Sequence, residues 1–221
     1  MTRRRILIGT LVALALAGAA TSAAPQRGRH GRLFPPEDLG LLEGPDRDAW
    51  QKPEQIMDAL GIADGATVAD LGAGGGWFTV RLARRVGPTG LVYAEDIQPQ
   101  MIDSIQRRVE REGLKNVRTV HGTVTDPRLP EGGLDAVLMV ETYGELEEPV
   151  SLLRNVVRAL KPRGRLGIVE FKSDGLGPGP APEHRVDEGH VLAAAAQAGL
   201  TLIKRETFLR YQYMLVFGRA S

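Results

Sequence analysis

The sequence predicts an α/β fold: one mostly parallel sheet with helices on both faces, ending in an antiparallel pair of strands. Three observations carry this prediction. Strand-length apolar segments alternate with amphipathic helical segments from residue 67 onward, two strand segments are apolar at nearly every position, and the last two follow one another without a helix. Alternating strands and helices are typical of parallel sheets, and continuous apolar strands are typical of a sheet covered on both faces.

Local patterns predict each element in order. Proline opens helices at residues 53, 99 and 149, and apolar residues recur at helical spacing within the longer helices. The predicted strands cover residues 67–71, 91–96, 117–121, 134–140, 166–171, 200–208 and 211–217. The predicted helices begin at residue 53 and cover residues 77–85, 99–111, 149–160 and 187–198.

Length and composition fit one soluble globular domain. The chain has 221 residues, and its 28 basic side chains balance 27 acidic ones, so charge gives no argument for a nucleic-acid partner. The absence of cysteine excludes disulfides, cysteine-bound zinc and a thiol nucleophile. Four scattered histidines lack the spacing of metal ligands. We therefore expect no metal and no nucleic acid, while the oligomeric state is not predicted.

The first 24 residues have the layout of a secretory signal peptide. Arginines at positions 3–5 precede an apolar segment over residues 6–20, and small residues then offer a cleavage site. The apolar segment is shorter than the roughly 20 residues of a spanning helix, so an uncleaved anchor is the alternative. We expect export to a periplasmic or extracytoplasmic location by the general or the twin-arginine route, with no stable membrane insertion beyond this leader.

Residues 25–50 are polar and rich in proline, without strand or helix periodicity. We expect an extended N-terminal arm here, followed by the folded domain over residues 51–221. The apolar residues of the arm offer docking points: Leu33, Phe34, Leu41 and Leu42.

The sharpest motif lies between the first strand and the next helix. The strand ends in Asp70, and the turn that follows has Gly72, Gly74 and Gly76 at alternate positions. Glycine permits a sharp turn and a close approach of the backbone to a ligand, and open α/β sheets bind ligands beyond the carboxyl ends of their strands. Asp96 ends the second strand, where its carboxylate can accept hydrogen bonds from both hydroxyls of a ribose.

Other nucleotide motifs fit this turn less well. A dinucleotide fingerprint needs a third glycine where the chain has Trp77, and a P-loop needs a lysine followed by serine or threonine. The turn offers no cation to a phosphate, and Asp70 brings a negative charge. A nucleoside with a positively charged amine therefore fits better than a dinucleotide, which leaves an NAD-dependent reductase as the weaker alternative. A turn that merely packs helix on strand is the structural alternative.

With three further stretches, this motif resembles the class I S-adenosylmethionine-dependent methyltransferases. The stretches are residues 70–76 (DLGAGGG), 92–97 (VYAEDI), 134–139 (LDAVLM) and 160–166 (LKPRGRL). The resemblance covers about residues 50–220 and points to small methyltransferase-domain proteins akin to quinone-biosynthesis enzymes. It implies a Rossmann-like seven-stranded sheet, S-adenosyl-L-methionine as cofactor, and in-line transfer of a methyl group to a small-molecule acceptor.

The resemblance also implies roles for single residues of the cofactor site. Asp70 and the glycine turn would hold the methionine end, Asp96 would hold the ribose hydroxyls, and Ile97 would pack on the adenine. Thr123 stands where the family often has an aspartate that contacts the adenine amine. We therefore expect that contact to be weaker or supplied elsewhere.

Methyl transfer depends mainly on positioning, and an oxygen or nitrogen acceptor also benefits from a base. The resemblance places Glu141 facing the methyl group, which makes it a candidate together with Tyr143 and His184. Relatives often have histidines after this tyrosine, and the chain has none there. His184 ends a loop rich in glycine and proline, where a lid would lie; a solvated lead into the next helix is the alternative.

Two residues of the arm, Arg47 and Trp50, lie just before the first helix. They would close over the cofactor, although a tryptophan that only anchors the arm is an equal alternative. Because a fold does not fix a function, an exported, non-catalytic small-molecule-binding protein is the alternative to an enzyme. The intact Asp70, glycine turn and Asp96 favour the enzyme.

Overall fold

The computed structural model describes residues 33–220. The expected signal peptide and residues 25–32 of the arm lie outside the described residues and stay predictions. None of the helices between residues 33 and 220 has the length and apolar character needed to cross a membrane.

Seven strands form one mixed sheet, which confirms the predicted fold class. They are β1 (Thr67–Leu71), β2 (Leu91–Asp96), β3 (Val117–His121), β4 (Leu134–Val140), β5 (Leu160–Phe171), β6 (Leu200–Glu206) and β7 (Gln212–Arg219). Their order is β3-β2-β1-β4-β5-β7-β6. The first five strands pair in parallel, and β7 runs antiparallel between β5 and β6.

Helices cover both faces of this sheet. They are α1 (Arg47–Gln51), α2 (Pro53–Ala59), α3 (Trp77–Val86), α4 (Pro99–Arg111), α5 (Pro149–Ala159) and α6 (Glu188–Gln197). One hydrophobic cluster joins α2 and α3 to the sheet, and the other joins α5 and α6 to the opposite face. Burial on both faces explains why β4 is apolar at nearly every position.

The β5 strand begins six residues earlier than predicted. Leu160 already pairs with Leu134, and the ladder resumes at Arg165 after an irregularity. The ammonium of Lys161 lies 2.7 Å from the carboxylate of Asp135 within this segment. The short stretch between α5 and the regular strand is therefore a bulged start of β5 rather than a free surface turn.

Residues 33–51, which we call the N-terminal strap, are helical rather than extended. A 3₁₀ helix over Pro36–Leu42 leads to α1, and prolines with no apolar periodicity had hidden both from sequence reasoning. Leu33 and Leu41 are 38% and 78% exposed, so their prediction as docking points is wrong. The side chain of Leu42 lies outside the described part of the structure.

The strap instead crosses the carboxyl ends of the strands through polar contacts. The Phe34 backbone N–H donates to Oε2 of Glu145 (3.1 Å), and its carbonyl accepts from Nε2 of Gln98 (3.1 Å). Leu39 lies against the glycine turn, since a methyl group added to Gly75 would stand 3.2 Å from it. The strap therefore covers the edge of the sheet where β1, β2 and β4 end.

The side of the sheet on which successive strands are added changes between β1 and β4, although the two strands are parallel. From β1 the chain moves outward to β2 and β3, and from β4 it moves the other way to β5. Open α/β sheets form their ligand crevice at this reversal, outside the carboxyl ends of the strands. The glycine turn after β1 and Glu141 after β4 thus lie on the two sides of one crevice.

The loop after β5 is organised around one arginine. The Arg185 side chain is 2% exposed, and its guanidinium donates to the backbone carbonyls of Lys172, Leu176, Pro178 and Pro180 at 2.9–3.1 Å. It also lies 5.2 Å from the ring centroid of Phe171. This single side chain thus ties four backbone carbonyls of the loop together.

Replacing Arg185 should therefore open the loop. Each of these hydrogen bonds contributes about 1 kcal/mol, so we expect R185A to raise the rate of thermolysin cleavage before Leu176 by roughly 10-fold or more. R185K should recover only part of the protection because lysine cannot reach four carbonyls with one fork. The control is R163A at an exposed site. Equal cleavage rates in R185A and R163A would show that the loop is held by other contacts.

Candidate functional site

The glycine turn after β1 adopts a backbone that requires glycine. Gly72, Gly74 and Gly76 have φ angles of +69°, +53° and +79°, in the left-handed region that other residues rarely adopt. A methyl group added to Gly72 would also stand 2.2 Å from Cγ2 of Thr142, the second residue after β4. The turn thus packs directly against the opposite side of the crevice.

Asp70 is 3% exposed, and its Oδ2 accepts a hydrogen bond from the Thr79 hydroxyl of α3 (2.6 Å). Burial raises the pKa of Asp70 to about 6, while the Thr79 bond and the charge of Arg47 oppose the rise. The carboxyl is therefore held in place by α3 and is short of positive charge. That suits a cationic ligand group.

Asp96 braces the same turn from β2. Its Oδ2 accepts from the Gly74 N–H (2.9 Å) and its Oδ1 from the Gln98 N–H (2.9 Å). Burial raises its pKa, which these backbone bonds partly offset. Ile97 follows, half-buried, with its carbonyl oxygen 3.0 Å from Nε2 of His121. The predicted ribose and adenine residues thus lie directly beside the glycine turn.

Thr123 lies beyond β3 but its hydroxyl is engaged locally. The hydroxyl donates to the Asp126 carbonyl (3.2 Å) and accepts from the Asp126 N–H (3.0 Å). The side chain therefore closes a small turn. Its role as a cofactor contact stays a prediction.

Glu141 follows β4 in the left-handed region, with φ +58°. Its Oε1 accepts from Nε2 of Gln212 in β7 (2.7 Å) and from Nε2 of Gln51 in α1 (3.1 Å), and it lies 3.9 Å from Nη2 of Arg47. Burial raises the pKa of Glu141, and these partners lower it. Two elements distant in sequence, α1 and β7, thus orient one carboxylate at the crevice.

Sequence reasoning missed both glutamines. Gln212 is 1% exposed in a strand that is otherwise apolar up to Gly218, which is a visible signal of a buried polar contact. Gln51 is fully buried but lies in a five-residue helix with no such pattern. Its amide also donates to Oε1 of Gln212 (3.1 Å).

The other two catalytic candidates have different surroundings. Tyr143 is 4% exposed, its hydroxyl donates to the His190 carbonyl of α6 (3.3 Å), and burial raises its pKa to about 12. His184 is the exposed last residue of a short 3₁₀ helix after the Arg185-bound loop. Of the three, Glu141 is the one that the structure holds against the crevice by contacts from α1 and β7.

The arm residues Arg47 and Trp50 both reach the sheet. The Arg47 guanidinium is 7% exposed and lies 4.3 Å from the ring centroid of Trp77, and burial lowers its pKa. The Trp50 and Phe171 rings lie 5.9 Å apart. Arg47 thus brings a cation to the crevice, and Trp50 packs at the end of β5.

Buried carboxyls give this edge of the sheet its electrostatic character. Burial is the largest cause of a raised pKa in each of six groups: Asp70, Glu95, Asp96, Glu141, Glu145 and Glu170. Between residues 33 and 220, the acidic and histidine side chains form no group of three that could hold a metal ion. The acid-lined crevice, with its glycine turn, fits a ligand that is positively charged and lies close to the backbone. S-adenosylmethionine, with its ammonium and sulfonium groups, meets both conditions.

The predicted cofactor residues lie within the part of the chain that matches a known family. A family model described as a methyltransferase domain matches residues 68–164, which include every predicted cofactor residue. A solved S-adenosylmethionine-dependent methyltransferase from Aquifex aeolicus is 30% identical with a TM-score of 0.80, covering 84% of this chain and 98% of that one.

Two curated relatives, also named as methyltransferases, match a shorter part of the chain. The ubiquinone/menaquinone biosynthesis C-methyltransferase UbiE of Pasteurella multocida is 34% identical over 128 residues, or 55% of this chain and 46% of that protein. The protein of the same name from Citrobacter koseri is 32% identical over 116 residues, or 52% of this chain and 46% of that one. The chain thus spans about half the length of these relatives.

The raised pKa of Asp70 predicts a pH-dependent stability. The folded protein keeps this proton up to about pH 6, whereas an unfolded aspartate loses it near 3.8. Because the folded state binds the extra proton in this window, the contribution of Asp70 to stability falls as pH rises through it. Asp70→Asn never ionises, so at pH 7 we expect its free energy of unfolding to exceed wild type by on the order of 2–3 kcal/mol.

Urea unfolding at pH 4 and pH 7 measures this difference. D103N, at an exposed position of α4, is the matched control and should follow wild type at both pH values. A D70N variant that is less stable than wild type at pH 7 would contradict an uncompensated buried charge at this position.

Proposed function

Because the chain belongs to the S-adenosylmethionine-dependent methyltransferases, we propose that it transfers a methyl group from S-adenosylmethionine to a small-molecule acceptor. The observation that carries this proposal is the convergence of Asp70, Asp96 and Glu141 on one crevice at the reversal of the sheet. Covering of that crevice by the strap, and the UbiE-named relatives, support a small acceptor rather than a macromolecule.

The cofactor, when bound, supplies a methyl group on a positively charged sulfur for in-line displacement. The residues of the chain supply position and charge. Asp70 offers its carboxylate to the ammonium, Asp96 offers its carboxylate to the ribose hydroxyls, and the glycine turn allows close approach of the backbone. Strap residues exclude water, which strengthens these interactions because the local dielectric is low.

Glu141 is the residue we assign to the acceptor. The side-chain amides of Gln51 and Gln212 donate to its Oε1, and Arg47 lies near the same oxygen. Its Oε2 is therefore the oxygen left for an incoming group. Burial raises its pKa, and a carboxylate with a raised pKa is a better base near neutral pH than an exposed one. We assign it to accept the proton that the acceptor loses, or to orient the acceptor where no proton moves.

Calorimetric titration of S-adenosylmethionine and S-adenosylhomocysteine into the protein tests the cofactor site. We expect micromolar binding of both, and a loss of roughly 30-fold or more in Asp96→Ala, which removes bonds to the ribose and to the glycine turn. D103A on exposed α4 is the matched control and should bind as wild type does. Binding would then justify a screen of small molecules for acceptor-dependent formation of S-adenosylhomocysteine. Absence of binding by the wild-type protein would refute the proposed function.

The position of Glu141 predicts that the site binds S-adenosylmethionine more tightly than S-adenosylhomocysteine. An ionised carboxylate near the sulfonium favours S-adenosylmethionine over the uncharged S-adenosylhomocysteine, and a charge pair at an effective dielectric of about 20 contributes a few kcal/mol at most. We expect Glu141→Gln to reduce the ratio of the two affinities by about 10-fold at pH 8, chiefly by weakening S-adenosylmethionine. Glu147→Gln, at an exposed position nearby, should leave the ratio unchanged. An unchanged ratio in E141Q would place the methyl group elsewhere.

A further inference from the structure

The carboxyl of Glu141 is the last member of a chain of buried hydrogen bonds. The chain begins in α1, where Nε of Arg47 donates to Oε1 of Gln51. The amide Nε2 of Gln51 donates to Oε1 of Gln212 (3.1 Å) and to Oε1 of Glu141 (3.1 Å). The amide Nε2 of Gln212 donates to the same oxygen of Glu141 (2.7 Å). Arg47, Gln51 and Gln212 are 7%, 0% and 1% exposed, so these bonds are made almost without access to water.

The direction of every bond in this chain is fixed by its first member. A guanidinium has N–H donors and no acceptor, so Gln51 must turn its oxygen toward Arg47. Its NH₂ group then faces Gln212, which must offer its own oxygen in return. The NH₂ group of Gln212 is thereby left for Glu141. Neither amide can be turned over without placing two donors or two acceptors against each other.

The two oxygens of Glu141 therefore have different surroundings. Oε1 accepts both amides and lies 3.9 Å from Nη2 of Arg47. Oε2 accepts no hydrogen bond from residues 33–220, yet it is not closed off. The Glu141 side chain is 18% exposed, and the single buried oxygen without a partner in that part of the chain belongs to Glu95. Since a proton on Oε1 would meet two N–H donors, a protonated Glu141 carries its proton on Oε2.

The backbone of Glu141 is held as firmly as its side chain. Its φ angle of +58° lies in the left-handed region, and its N–H donates to the Val169 carbonyl in β5 (2.8 Å). A residue other than glycine keeps such a backbone only where surrounding contacts hold it, and such residues cluster at functional sites. The chain thus determines the position of Glu141 and leaves one oxygen to a ligand.

We propose that Gln51 and Gln212 are positioning residues for methyl transfer, which keep Oε1 of Glu141 as a hydrogen-bond acceptor and reserve Oε2 for the proton of the methyl acceptor. This inference rests on the proposed function, because it concerns the same site. When an O–H or N–H bond of the methyl acceptor breaks, its electron pair stays on the oxygen or nitrogen. The proton bonds to Oε2, which turns the carboxylate into a neutral carboxyl.

The ionisation of Glu141 reports on this arrangement. Burial raises its pKa most, and Arg47 of α1 and the two amides lower it. Two further carboxyls interact with it, Glu145 of the 3₁₀ helix after β4 and Glu170 of β5. Because hydrogen bonds to the charged form lower a pKa, losing an amide donor should raise the pKa of Glu141. Loosening the strap would instead expose the carboxyl and lower its pKa, so the sign of the change separates positioning from support.

Carbon-13 NMR of protein labelled at the glutamate carboxyls measures this ionisation without ligand. The resonance that Glu141→Gln removes belongs to Glu141. We expect Gln212→Met, which keeps the side-chain length but removes the donor, to move its titration midpoint upward by about one pH unit. Gln51→Met removes a longer bond and should produce a smaller upward change. Gln106→Met, at an exposed position of α4, is the matched control and should leave the midpoint unchanged.

Cofactor binding provides a second readout. The ratio of the affinities for S-adenosylmethionine and S-adenosylhomocysteine should rise with pH as Glu141 ionises. In Q212M that rise should occur about one pH unit higher than in wild type, and the ratio should recover at alkaline pH. In the E141Q background, Q212M should leave the ratio unchanged, because the effect of Gln212 passes through Glu141. A glutamine that only supports the fold would alter both backgrounds, and higher pH would not restore its loss.

Several results would contradict the assignment. A titration midpoint of Glu141 that is unchanged or lower in Q212M overturns it, and Q51M decides by the same criterion if the melting temperature shows that Q212M does not fold. A wild-type affinity ratio that does not vary with pH also overturns it, while leaving the cofactor site standing. Failure of the wild-type protein to bind either form of the cofactor refutes the proposed function instead, and the titration without ligand still reports whether the amides hold Oε1.

Discussion

The fold depends on holding carboxyl groups away from water where its parallel strands end. Because the strands run in one direction, the acids at or just beyond the ends of β1, β2, β4 and β5 meet at one edge, and desolvation raises the pKa of each. Arg47 is brought to this edge by α1 and lies 3.9 Å from Glu141. With pKa values of about 8, Glu95 and Glu170 keep their protons near neutral pH, whereas Asp70 with a pKa of about 6 is ionised, and its buried charge suits a ligand that brings positive charge.

The N-terminal strap follows from the same constraint. Polar contacts, such as the Phe34 N–H on Glu145 and the Gln51 amide on Glu141, hold it over the crevice together with the packing of Leu39 and Trp50. Contacts of this kind are each worth about 1 kcal/mol net, so displacing the strap costs far less than unfolding the domain. A cover of this strength shields the carboxyls and still allows a ligand to enter.

Local pattern was sufficient for the bounds of the first four strands, although not for the bulged start of β5. The bounds of β1 to β4 agree with the prediction, because these strands are short apolar segments limited by glycine, proline or charge. The helical segments of the strap were not predicted because tertiary contacts, and not apolar periodicity, stabilise them. The glutamine pair escaped because Gln51 and Gln212 are 161 residues apart and meet only in the folded sheet. Glu95 and Asp96 are adjacent in a strand, so their side chains leave opposite faces, which sequence alone reveals. Only the structure shows that one oxygen of Glu95 lacks a hydrogen-bond partner.

Glu95 and Glu170 are equally buried acids that differ in how many hydrogen bonds the folded chain gives them. Burial raises the pKa of each to about 8. Glu170 accepts the N–H groups of Tyr143 and Gly144, so its carboxyl fixes the turn after β4 and its cost is met within the chain. Glu95 accepts one long hydrogen bond, from the Gly72 N–H, and its other oxygen lies against Gly122 without a hydrogen-bond partner. An apolar side chain at position 95 would spare the folded protein that cost.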